Sequence, residues 1–441
     1  MAFINSASCE CAKSELDLFT LQPTQTSIEE SAVVEYHPIS SIQNKGPIEF
    51  DVTGTGDQYI DVSNIQLYIR AKITKRDGNN LEPNSTAAPV NLLLHSMFSQ
   101  IDISLNGTLI SNATNTYPYR ALLETLLTYG EDAKHSQLTC QLFYKDEAGY
   151  MDSVLVNNQG GNRPNTGLQN RRTITKESKE FDMVGRLHAD LFFQERYLLN
   201  EVGIKIRLIR SKDDFCLMGV PQDATLQVIH AALFVRKVKL LPSVFLAHAD
   251  SLQTSTAKYP IKRCVCKALA IPQDYSDMTY EKLITDQLPT RVVIGLVDNA
   301  AFNGARNLNP FNFQNFNVSE VALYLDGQQS QTSRPIELNY DKGLFIHGYN
   351  SLFAGTGKLN RDEGLHIARL DYDRGYALYA YDLTADLGEE DHYNLMRHGN
   401  VRLSLKFATP LPQPITVVAY AEFDNVLEIT KNRQILADFG I

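Results

Sequence analysis

From residue 46 onward the chain runs in short stretches where apolar and polar residues alternate. That period of two puts successive side chains on opposite faces of a β-strand. IEFDV (48–52) and YIDVSNIQLYIRAKIT (59–74) carry the β-branched and aromatic residues that strands favour, and the second leads to a turn at Asp77-Gly78. In QIDISLNGTLI (100–110), Ile101, Ile103 and Leu105 run straight into Asn106-Gly107. This predicts a hairpin closed by a type I′ turn, whose two central residues need positive φ. The period then changes. Leu122, Leu123, Leu126 and Leu127 in TNTYPYRALLETLLTYG form a stripe at helical spacing, with Gly130 as the expected stop. Residues 141–180 are polar, include GGNRPNTG (160–167), and read as a long surface excursion. Strand patterning returns at VGIKIRLIR (202–210) and TLQVIHAALFVRKVKLL (225–241), and LPSVFLAHADSLQTSTAKYP reads as a linker.

The second half repeats this order. Strands are expected at RCVCKALAI (263–271) and RVVIGLV (291–297). In SEVALYLDGQQ (319–329), Val321, Leu323 and Leu325 enter Asp326-Gly327, the same strand-into-turn device as before. The Tyr-rich GYALYAYDLTADLG (375–388) is expected where the first half has its helix. NVRLSLKF (400–407) answers VGIKIRLI, and TVVAYAEFDNVLEI (416–429) answers LQVIHAALFVRKVKL. Identities are few and the offset between matching positions drifts, as a longer loop in one copy would cause. The reading is two copies of one all-β unit. Residues 1–44 are expected to be an extended arm, 45–245 and 246–430 the two units, and 431–441 a tail.

Composition narrows the function classes. The 441 residues carry a formal net charge of −10, and no basic face or arm of the kind that binds nucleic acid by counterion release is evident. Trp is absent, but 20 Phe and 21 Tyr supply bulky groups for sandwich interiors. The six cysteines, Cys9, Cys11, Cys140, Cys216, Cys264 and Cys266, are too sparse for a disulfide framework, so free thiols in a reducing compartment are expected. Cys264 and Cys266 should share one strand face. The N-terminus lacks the pattern of a signal peptide, and no window approaches the ~18–20 apolar residues of a membrane span. The sequons at Asn84, Asn106, Asn112 and Asn317 are then expected to go unused.

The motif search finds little chemistry. G-x-S-x-G, H-E-x-x-H and G-x-G-x-x-G are all missing. Ala354-Gly355-Thr356-Gly357-Lys358 resembles part of a P-loop, but Leu359 replaces the Ser/Thr that magnesium requires, and a loop without phosphate is expected. His188-Ala189-Asp190 offers two metal-ligand types without a second pair to converge on them. Asp371-Tyr372-Asp373 and Glu389-Glu390-Asp391 could hold calcium but read better as solvated loop faces. No catalytic, cofactor-binding or metal-binding residue is assigned, and no enzymatic activity is expected.

Seven stretches together carry a resemblance: LDLFTLQPTQTSIEES (16–31), VEYHPISSI (34–42), GPIEFDVTGTGDQYID (46–61), LLLHSMFSQIDISLNGTLIS (92–111), NTYPYRALLETLLTYG (115–130), GRLHADLFFQERYLLNEVGIKIRLIRSKDDFCLM (185–218) and VVAYAEFDNVLEI (417–429). In these the chain resembles the hexon-like major capsid proteins of Polinton/Maverick elements and adintoviruses. The likeness covers most of the chain in order and is weakest across 141–180 and 330–370. It implies an all-β fold of two tandem jelly-roll β-sandwiches, a double jelly roll, with short helices in loops. It also implies homotrimeric, pseudo-hexagonal capsomers in an icosahedral shell, made in the host cytoplasm and assembled in the host nucleus. The implied partners are neighbouring capsomers, penton and minor capsid proteins. Sequence-specific nucleic-acid binding, membrane insertion and a cofactor are not implied. The alternative is a lectin-like or receptor-binding β-sandwich virion protein, in which Tyr372, Tyr376, Tyr379 and Tyr381 would stack on sugars. Core or subunit packing suits their spacing better.

The arm has its own signature. Residues 1–30 hold one basic residue, Lys13, against the acidic Glu10, Glu15, Asp17, Glu29 and Glu30, so packaged DNA should repel them. Leu16, Leu18, Phe19 and Leu21 form an apolar group just ahead of Pro23, suited to docking on another surface.

Overall fold

The alternating runs are strands in the computed structural model, which describes all residues except 1–4, 6, 43–44, 112–113, 159–161, 330–333, 388–391 and 438–441. The sandwich strands of the first half are β1 (Ile28–Tyr36), β2 (Ile48–Val52), β3 (Gln58–Lys75), β4 (Phe98–Leu105), β5 (Thr108–Leu109), β6 (Phe181–Gly185), β7 (Ile204–Arg210) and β8 (Ala224–Leu240). The second half supplies β9 (Ala257–Ile271), β10 (Asp277–Gln287), β11 (Arg291–Asp298), β12 (Val318–Leu325), β13 (Gln328–Gln329), β14 (Leu378–Asp382), β15 (His398–Phe407) and β16 (Ile415–Ile429).

Besides a two-residue ladder of Ala88–Pro89 with Leu217–Met218, the first half forms two four-stranded antiparallel sheets in the orders β1-β8-β3-β6 and β2-β7-β4-β5. The second half forms β9-β16-β11-β14 and β10-β15-β12-β13, the same two orders with every strand number raised by eight. Neither hairpins alone nor a meander produces this pairing of first strand with eighth and second with seventh. It is the Greek-key winding of a jelly roll. The chain is a double jelly roll.

Period-two patterning built the interiors. Ile48, Phe50 and Val52 on β2, Ile101, Ile103 and Leu105 on β4, and Ile204, Ile206 and Leu208 on β7 all point inward and are buried. Each such side chain taken from water contributes ~1.5–3 kcal/mol. Both hairpin turns have the expected backbone. Asn106 and Gly107 lie at φ 46° and 86°, and Asp326 and Gly327 at 50° and 79°.

Four longer helices sit among the strands: α1 (Tyr117–Thr128), α2 (Thr166–Thr175), α3 (Pro242–Thr254) and α4 (Ile346–Gly355). The leucine stripe of α1 is buried as read, but Gly130 is not its stop. Tyr129 turns extended and ends the helix, and Gly130 (φ −76°) instead precedes a short helix, Glu131–His135. The presumed linker is largely α3, begun by a proline whose missing N–H costs nothing in a first turn. Only Leu252 of α3 is fully buried, with Val244 and Phe245 half-buried against the core, so its apolar stripe is short.

Two further expectations change. The Tyr-rich segment does not replace a helix. It forms strand β14, the counterpart of β6, and every residue of β14 is buried. The counterpart of α1 is α4, which packs on β14. The 141–180 segment is not a simple surface excursion either, because α2 within it carries the fully buried Arg171.

The ends also differ. Residues 1–44 are an arm only up to β1, since Ile28–Tyr36 pairs with β8 along its length. The presumed tail contributes Ile435–Ala437 as an extra strand on β16. A boundary at residue 246 would fall inside α3.

Candidate functional site

The densest chemistry lies in the seam between the two sandwiches. Helix α1 places Arg120 and Glu124 one turn apart, 2.8 Å from each other, and Arg120 also reaches Asp190 at 2.7 Å. Asp190 accepts the backbone N–H of Cys264, on the second sandwich, at 3.1 Å. From the same side Tyr420 donates to Glu422 at 2.8 Å and approaches Glu124 at 3.4 Å, and Arg291 pairs with Glu422 at 3.0 Å. His188 binds Glu124 at 2.6 Å through Nδ1. Burial would push the Glu124 carboxyl up, but Arg120 and His188 outweigh it and hold the group at about 2.

Beside this network His95 is fully buried and held between Tyr117, at 2.8 Å from Nδ1, and Gln141, at 2.9 Å from Nε2. The Gln141 carbonyl can only accept, so Nε2 carries the proton and Nδ1 accepts from the Tyr117 hydroxyl. Burial, and then the neighbouring His188, keep His95 well below the usual histidine range.

A second buried network uses the polar loops. Arg171 pairs with Asp146 at 2.6 Å, Asn165 donates to Asp146 at 2.9 Å, and Asn309 reaches Asp146 from the second half at 3.0 Å. Tyr376 donates to the Asp146 carbonyl at 2.8 Å. The loop composition that suggested solvent exposure is here the supply of partners that buried polar groups require.

These networks join the two halves, and their charged side chains are committed to one another. His188 and Asp190 turn to different partners, Glu124 and Arg120, and do not converge on one point. Asp371 is committed to Lys145 at 2.5 Å and to the Ala368 N–H at 3.1 Å, while Tyr372 between the two aspartates is buried. The Glu389–Asp391 run and the Asn112 sequon lie outside the described residues. Ala354-Gly355 end α4 instead of preceding a helix, and Lys358 donates to the Thr128 carbonyl at 2.8 Å. This is the opposite polarity to a phosphate cradle.

Tyr372, Tyr376, Tyr379 and Tyr381 are all buried, and their hydroxyls are tied to Leu378, Asp146, Tyr340 and Val321. No sugar can stack on them. Cys264 and Cys266 are both buried, as their shared face requires, and burial pushes the thiols of Cys216 and Cys266 up to about 12.

The surface offers other features. Leu16, Leu18, Phe19 and Leu21 are 71%, 76%, 95% and 91% exposed, an apolar group with nothing laid over it. On the second sandwich Leu395 and Met396 are likewise exposed. Sequence reasoning found the arm group but missed two clusters that combine two histidines and a glutamate: Glu35/His37/His230 and Glu131/His135/His366. In each cluster the second histidine lies far along the chain from the other two residues, so no spacing motif records the set. No described helix is long and apolar enough to cross a membrane.

Comparison with known proteins agrees with this topology. No protein-family model matches the chain. The uncharacterized protein F54H12.2 of Caenorhabditis elegans is 25% identical over 431 residues, covering 94% of this chain and 99% of that protein. Among solved structures, a chain of the Sputnik virophage superposes with a TM-score of 0.64 at 12% identity, covering 100% of this chain and 94% of its own. A chain of the PBCV-1 virus capsid gives 0.59 at 10% identity, covering 96% and 100%. The mavirus major capsid protein gives 0.56 at 13% identity, covering 99% and 97%. At such identities the likeness establishes the double jelly-roll fold.

Proposed function

We propose that this chain is a major capsid protein whose homotrimers form pseudo-hexagonal capsomers of an icosahedral shell. The observation that carries this reading is the duplicated jelly-roll order, two sandwiches held side by side by a buried seam. Three copies of such a pair, related by a closed three-fold axis, present six sandwiches around one centre. The structural neighbours whose names state a role are capsid components and not enzymes. The full partnering of the seam's buried carboxylates supports a structural role over turnover. The burial of the four tyrosines removes the feature that favoured a lectin.

The finer assignment is to the capsid proteins of Polinton/Maverick elements and adintoviruses. It rests on the sequence stretches given above. On this reading the protein resides in the virion, after synthesis in the host cytoplasm and assembly in the nucleus. Its contacts are with neighbouring capsomers, penton and minor capsid proteins, and the exposed arm is one such contact.

Light scattering coupled to size exclusion tests the core of the proposal. A mass near three times the 49.5 kDa chain, with hexagonal particles in negative stain, is the expected result. A stable monomer at micromolar concentration would overturn it.

A further inference from the structure

Glu131 and His135 sit at the two ends of the short helix that follows α1, and His366 belongs to the segment between α4 and β14. The halves of the chain meet here. The Glu131 Oε1 atom lies 3.5 Å from His366 Nε2 and 3.7 Å from His135 Nδ1, and the two imidazole rings are 4.7 Å apart between centres. Hydrogen bonds between such groups would close to about 2.7–3.2 Å. Ligands ~2.0–2.2 Å from a tetrahedral zinc ion stand roughly 3.3–3.6 Å from one another. The Glu131–His366 distance matches the second spacing, the Glu131–His135 distance lies just beyond it, and all three ligand atoms fall within 4.8 Å of one another.

We propose that Glu131, His135 and His366 bind one divalent transition-metal ion of the zinc class, which clips the first sandwich to the second. Two imidazoles and a carboxylate are a donor set such ions prefer. Magnesium and calcium, which favour all-oxygen shells, are excluded by the same set. The frame is already in place. Buried Lys134, next to His135, donates to the carbonyl of Leu365, next to His366, at 2.7 Å and to that of Leu126 at 2.8 Å. This tie fixes the two backbones without the metal and aims the ammonium at carbonyls. Glu131 and His135 are more than half exposed, so the remaining coordination position opens to water.

The second cluster, Glu35/His37/His230, is a built-in comparison. It lies wholly on the β1/β8 edge, with wider spacings of 3.9 and 3.8 Å from Glu35 to the two histidines. It bridges nothing.

Isothermal titration of the purified full-length chain with zinc chloride should show one site per chain. His135→Ala and His366→Ala should each weaken it at least tenfold, while His37→Ala should leave it unchanged. His366→Gln, which keeps the side chain's bulk, guards against a folding defect and should lose binding equally. Zinc should raise the melting temperature of the native chain, and EDTA should reverse the rise. Affinity weaker than ~100 μM, or affinity undiminished in the His366 variants, would overturn the proposal. So would binding that His37→Ala abolishes.

Discussion

The hydroxyl of Tyr119 donates to the carbonyl of Pro310 at 3.0 Å, joining helix α1 of the first sandwich to a loop of the second. Its ring stacks on Phe302 and meets Phe311 and Phe313 edge-on, so one side chain ties both halves. Tyr119→Phe keeps the ring contacts and strands a carbonyl in the seam. The expected loss is about 1–3 kcal/mol, the penalty for a buried acceptor left unpaired. Chemical denaturation checks it, and an unchanged midpoint would show that the seam does not depend on this bond.

Gly107 and Gly327 are turn positions where the cost of substitution is purely backbone. A Cβ at either would meet nothing within 4 Å, yet both residues sit at positive φ. Gly107→Val and Gly327→Val should each lose on the order of 1–3 kcal/mol, because a β-branched residue is strained there. Gly46→Ala, equally open but without positive φ, should be near neutral. Equal melting temperatures for all three variants would contradict the turn assignment.

Acid should weaken the seam in two stages. His95 is held neutral, below its ordinary 6.5, so the unfolded chain takes up its proton first. Stability from this group is complete above about 6.5 and falls as the pH drops below that value. Glu124 is held at about 2 against an ordinary 4.5, so its contribution is present above 4.5 and is lost between there and about 2. Asp190, pushed up by burial, works in the opposite sense. The Glu124 stage is therefore read from the difference between the native chain and Glu124→Gln. Melting curves from pH 8 to 3 should converge at the acid end, and parallel curves would refute the assignment.

Deleting residues 1–26 should leave the folded chain and its melting temperature nearly unchanged, because β1 begins at Ile28 and the apolar group of the arm covers no part of the core. Shell assembly should fail or lose fidelity, as judged by electron microscopy of assembly reactions. Deleting residues 1–36 is a different experiment. It removes β1 and leaves β8 as a long unpaired edge, which promotes aggregation. Normal particles from the shorter deletion would show that the arm is dispensable.

What the sequence determined by itself was local. Rows such as Ile101/Ile103/Leu105 and Val202/Ile204/Ile206/Leu208 report which strand face meets a core, because burial of one face imposes period two. Asn106-Gly107 and Asp326-Gly327 report turns, because few residues tolerate the required φ. Their recurrence made the duplication visible. Helix α3 was not legible, since most of its surface faces solvent and only Val244, Phe245 and Leu252 record its inner face.

Only the tertiary structure decided which distant residues meet. Arg171 and Asp146 look like surface residues in sequence and become buried partners once the fold supplies each with the other. Lys134 finds Leu365, Asp190 finds Cys264, and Glu131 and His135 find His366, all across the seam. A polar side chain carries no periodic signal of its eventual partner. Its burial becomes favourable only when chain closure has brought the complementary charge or hydrogen-bonding group within about 3 Å.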